Sequence, residues 1–107
     1  MEVKPSEIRI LVHAWNPESR EVAEVARTSR CQLTNENLQS AIAEALDLVL
    51  AEFSAEEIGR WMPQISVWLW SDRGLRASMN LSRELVQRIA SINASLDYDP
   101  YMSEPAE

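Results

Sequence analysis

Asp97 and Asp99 stand two residues apart near the end of the chain, and an extended backbone places such a pair on one face. Two carboxylates so placed can share a proton in acid–base chemistry or hold a cation. A metal site wants further ligands, and His13 is the only histidine available. Arg9 and Arg76 offer the simpler partners, since both are expected on the same sheet face, where they would pair with the acids across strands. Cys31 is the only cysteine, and with His13 as base it would be the alternative nucleophile. Its neighbours carry nothing that would activate a thiol, so a buried, unreactive cysteine is the simpler reading. With only two glycines there is no loop to cradle phosphates, and the serines lack a nucleophile-elbow context. The expectation is therefore a chain with no catalytic residue, no metal and no cofactor.

Residues suited to binding are better represented. Trp68 and Trp70 alternate on one face of a strand, and Trp15 falls on the same face of another. Tryptophan is the side chain most enriched at binding hot spots, although a face covered by the chain's own elements would use it equally well. Between Cys31 and Gly59 there are six acids and no lysine or arginine: Glu36, Glu44, Asp47, Glu52, Glu56 and Glu57. On a helical wheel Glu36, Glu44 and Asp47 lie opposite the apolar stripe. Such a strip is either a solvated helix face or an attractor for a basic partner.

The whole-chain charge points the same way. Seventeen acids oppose ten bases, for a net charge of −7 and a pI near 4.7. That balance repels phosphate backbones and anionic membranes, so neither nucleic acid nor membrane is expected as a partner. The single lysine also argues against base stacking on the aromatic face. The longest apolar run near the start, Ile10 to Val12, is far short of a leader or a membrane span. One unpaired cysteine fits a reducing compartment, and a cytoplasmic location is expected. A chain of 107 residues has room for one core, hence one domain over 1–107, ordered at about 6–101 with a loose tail at 102–107.

These side chains need elements to hold them. Glu7 to Trp15 alternates as a strand, with Ile8, Ile10, Val12 and Ala14 on one side and Arg9, Leu11, His13 and Trp15 on the other. Asn16-Pro17 predicts a helix start, running to about Arg27 with Val22, Val25 and Ala26 buried. Thr28 to Leu33 is a connector with room for a short extended piece. Thr34 caps the longest helix, Asn35 to Phe53, whose stripe is Leu38, Ile42, Ala45, Leu46, Val49 and Phe53. Ser54-Ala55-Glu56-Glu57 is a capping box for a short helix ending at Met62 before Pro63. Gln64 to Ser71 is a strand, and Asp72-Arg73-Gly74 signals a hairpin to a partner strand, Leu75 to Leu81. Ser82 caps a helix with Leu85, Val86, Ile89 and Ile92 buried, and Ala94 to Tyr101 closes the chain as a strand.

The order β-α-α-β-β-α-β predicts an α+β fold of split β-α-β, ferredoxin-like topology. It is expected to be a four-stranded antiparallel sheet with helices on one face and the first and third strands central. The open face would expose Arg9, Leu11, His13, Trp15, Ser66, Trp68, Trp70, Arg76 and Tyr101.

The last third carries a family resemblance. Leu81-Ser82, then Ile89-Ala90-Ser91-Ile92-Asn93, then Ala94-Ser95-Leu96-Asp97-Tyr98-Asp99-Pro100-Tyr101, resembles the ending of DUF4279. This is a family of small bacterial domains of unknown function, and the likeness covers mainly residues 65–101. It departs at Asn93, where a glycine is common, and at Pro100 inside the closing strand. The resemblance implies the fold and brings no catalytic residues with it.

Together these readings lead to a non-catalytic, inhibitory protein-binding module. The model case is a bacterial immunity-type protein neutralising a cognate basic toxin, with Trp15, Trp68, Trp70, Glu36, Glu44 and Asp47 as partner-binding residues. Three alternatives remain: a homodimeric accessory domain joined through its tryptophans, a phage-encoded inhibitor of host defence, and a small enzyme built on Asp97, Asp99 and His13.

Overall fold

The first departure from the sequence reading comes directly after the first strand. In the computed structural model, which describes residues 6–71 and 80–102, β1 (Glu7–Asn16) turns back at once into β2 (Glu21–Arg27). The side chain of Asn16 accepts hydrogen bonds from the N–H groups of Glu18 and Ser19, as a helix cap would. Arg20 then adopts a positive φ of 59° and donates its N–H to the Asn16 carbonyl, 2.8 Å away. That left-handed residue ends the incipient turn and reverses the chain. Asn-Pro serves a helix start and a turn with the same hydrogen bonds, so the expected helix over residues 17–27 is a strand. Val22, expected to be buried, is 65% exposed on it.

β2 pairs antiparallel with β1, and a bulge at Val25 shifts the register between Val12 and His13. Thr28 follows, buried, and its hydroxyl accepts from the Ile10 N–H at 3.0 Å while its own N–H reaches the Ile10 carbonyl. The threonine thus satisfies β1 where the ladder is interrupted. Pairing resumes with β3 (Cys31–Gln32) against Glu7 and Ile8.

α1 (Asn35–Glu52) and α2 (Ala55–Arg60) begin as the sequence requires, with Thr34 accepting from the Asn37 N–H and Ser54 from the Glu57 N–H. α2 gives way at Trp61, and Met62 takes a positive φ of 50° ahead of Pro63. β4 (Gln64–Ser71) then pairs antiparallel with β1 over Glu7–His13 on one edge. Its other edge carries β5 (Ser95–Met102), which runs parallel to it, with α3 (Arg83–Ser91), capped by Ser82, lying between them in sequence.

The class is α+β, and the sheet is mixed rather than antiparallel. Its order is β2-β1-β4-β5, with β3 also on β1, so β1 and β4 are central. Both edges of β4 are occupied along its length. The expected partner strand lies mostly on residues 72–79, outside the described range; Asn80 and Leu81 are irregular.

One side of the sheet meets the helices. Ile8, Ile10, Val12, Ile65, Val67 and Leu69 interlock with Leu38, Ile42, Leu46, Val49, Ile58, Leu85, Ile89 and Ile92, all buried. Val86, expected in this layer, is instead 50% exposed. Asn93 follows α3 with a positive φ of 55° and donates from its side chain to the Gly59 carbonyl, so it occupies the conformation that glycine would otherwise supply. Pro100 is on the outermost described strand, where a residue without an N–H is tolerated.

Candidate protein-binding surfaces

Two surfaces carry the residues singled out by the sequence. They lie on opposite sides of the molecule, because the helix layer separates the outward face of α1 from the far face of the sheet.

On the sheet face, strand alternation and register set each neighbour. Arg9 is opposite Trp68, which is beside Asp99; Leu11 is opposite Ser66, which is beside Asp97; Glu7 is opposite Trp70. Trp68 and Trp70 meet edge to face, with ring centroids 6.1 Å apart. The Arg30 guanidinium lies 3.9 Å above the Trp70 ring and also pairs with the Glu7 carboxylate at 3.3 Å. Arg30 is a member of this surface that periodicity does not reveal, since it stands in the irregular link between β2 and β3.

The face is less open than alternation alone implies. Leu11 is 1% exposed and Ser66 is buried, while Arg9, His13, Trp68 and Trp70 are half-buried. Trp15 is 40% exposed and donates its N–H to the Trp61 carbonyl at 2.8 Å, but it is far from Trp68 and Trp70. Trp68 is opposite Arg9, and Trp15 is six steps further along β1 from Arg9, roughly 20 Å of strand. The three indoles therefore do not form one platform.

The aspartates are placed together as expected, but not with arginine. β4 separates Arg9 from Asp99, and among the described residues neither aspartate has an ion pair. Arg76 is outside the described residues. Burial raises the Asp99 pKa above the usual carboxylate value, and a hydrogen bond and charge from Asp97 add to the rise. His13 is opposite Gln64 and Glu24, also across β4 from the aspartates. Among the described residues no three His, Cys, Asp or Glu side chains gather as ligands would. Burial pushes the Cys31 thiol up, and the nearby charges of Glu44 and Glu7 push it further, which favours the unreactive form.

The second surface is the outer side of α1 and α2. Glu36, Glu44, Asp47, Glu52, Glu56 and Glu57 are all exposed. Arg88 of α3 reaches across to Asp47 at 2.6 Å, and Arg60 pairs with Glu56 within α2. Among the described residues Glu36, Glu44, Glu52 and Glu57 have no ion pair. A polar groove of about 450 Å³ runs between α1 and α3, lined by Glu36, Gln39, Ser40, Ser82 and Arg88 among others. Gln39 helps to close its end by accepting from the Ser82 N–H at 2.8 Å.

No family model matches the chain, and no curated protein or solved structure is significantly similar to it. The likeness of residues 65–101 to the bacterial family therefore gains nothing from these comparisons. Among the described residues no helix is long and apolar enough to cross a membrane.

Proposed function

We propose that this chain is a non-catalytic protein-binding module of the immunity type, which neutralises a basic toxin by covering it. The observation that carries the proposal is the outer face of α1 and α2. Glu36, Glu44 and Asp47 stand exposed opposite the buried stripe of α1, and Glu52, Glu56 and Glu57 are exposed around its junction with α2. Of these, only Asp47 and Glu56 pair with an arginine among the described residues. Concentrated charge of one sign on a rigid helix speeds encounter with an oppositely charged protein and selects against acidic ones. The tryptophan face is the second contact surface of this reading. Trp68, Trp70 and Arg30 are ordered there by stacking, which lowers the entropy lost on binding.

The test is co-expression with the proteins encoded on either side of the gene. The expected result is a stoichiometric complex with a basic protein whose toxicity or enzymatic activity is suppressed. A complex with an acidic protein, or a basic neighbour left fully active in the presence of excess chain, would overturn the proposal.

A further inference from the structure

Resting on the reading of a basic partner, we infer that the outer edge of β5 takes up an extended segment of that partner by strand addition. Ser95 donates its N–H inward to the Pro63 carbonyl at 2.9 Å. Sideways-pointing backbone groups alternate along a strand, so Ser95, Asp97 and Asp99 bond toward β4, while Leu96, Tyr98 and Pro100 turn their backbone groups outward. Among the described residues nothing pairs with that outer edge. Leu96 and Tyr98 thus offer N–H and C=O groups to an incoming strand. Pro100, which has no N–H, limits the pairing to a short stretch.

The side chains state what the incoming strand must carry. Leu96 and Tyr98, on the helix side of β5, are each 36% exposed. On the other side of the strand, Asp97 and Asp99 stand together, joined by a side-chain hydrogen bond and with no ion pair among the described residues. The complementary segment alternates apolar residues, set against Leu96 and Tyr98, with lysine or arginine set against the two aspartates. A second copy of this chain is the wrong occupant, since antiparallel pairing of two β5 edges would bring four aspartates together.

The test uses the whole isotope-labelled chain and a blocked synthetic peptide of alternating lysine and valine. Addition of the peptide is expected to shift the Leu96 and Tyr98 amides and slow their hydrogen exchange. A peptide methylated at alternate backbone nitrogens should bind at least tenfold more weakly, because it cannot complete the ladder. The double substitution Asp97→Asn, Asp99→Asn should weaken binding of the unmodified peptide about tenfold, with thermal unfolding confirming that the variant is folded. Equal binding of the methylated peptide, or no shift at β5, would overturn the inference. Shifts confined to α1 would also overturn it while leaving the basic-partner reading in place.

Discussion

Asp99 is the residue whose chemistry departs furthest from that of a solvated carboxylate. Burial and the neighbouring Asp97 raise its pKa, so the folded state retains a proton that the unfolded chain has already released. The sign follows from linkage: stability falls as pH rises from the ordinary carboxylate range through the raised pKa of Asp99, and levels off above it. Asp99→Asn is therefore expected to raise the melting temperature at neutral pH and to flatten the pH profile in that window. Melting curves across the acid range would show it, and an unchanged profile would contradict the assignment. Thr28 makes the opposite kind of contribution. Thr28→Val keeps the shape and removes the acceptor for the buried Ile10 N–H, at an expected cost of about 1–3 kcal/mol in urea denaturation. Little of this was legible beforehand. The Asp97–Asp99 pairing follows from a spacing of two, but the barrier between Arg9 and Asp99 depends on which strand lies between them, and local pattern carries no information about that. Trp68 shows the same limit. Alternation places it on the sheet's far face but cannot say how deeply it sits. Half-buried beside Trp70, it should cost about 1–3 kcal/mol of stability when replaced by alanine.

At the scale of elements, the sequence signals that held were those in which side-chain chemistry has a single local use. Thr34, Ser54 and Ser82 each cap the helix they were expected to cap. Asn16-Pro17 misleads because its hydrogen bonds serve a turn equally well, and the outcome rests on Arg20 adopting positive φ. This gives a substitution whose sign separates the two structures. Arg20→Gly should stabilise the β1–β2 hairpin by up to about 1 kcal/mol, because glycine reaches positive φ without steric cost. In a helix over residues 17–27 the same change would destabilise by a similar amount. Asn93 makes the matching case after α3: Asn93→Gly should be tolerated, while a β-branched residue such as valine should destabilise. The direction of β5 was not legible, because the choice between parallel and antiparallel is made by how α3 returns the chain to β4. Its strand character was, since Leu96, Asp97, Tyr98 and Asp99 alternate in either direction.

For the whole molecule, the layer of helices is the decisive fact, because it sends the acidic helix face and the tryptophan face to opposite sides. A partner cannot contact both unless it wraps around the sheet edge, and among the described residues β5, with Asp97 and Asp99, lies at one such edge. The acidity itself was fully legible as a run of six acids without a base; that Asp47 is partly neutralised by Arg88 was not, since the two are 41 residues apart. If the acidic helix face draws in a basic partner, association with that partner must depend on ionic strength. The measurement is the association rate of the purified chain with the basic protein encoded beside it, at low and at physiological salt, for the parent and for Glu36→Lys, Glu44→Lys. The parent's rate is expected to fall severalfold or more as salt rises, and the double reversal to be slower at low salt with a shallower dependence. Equal rates for parent and variant at low ionic strength would contradict it.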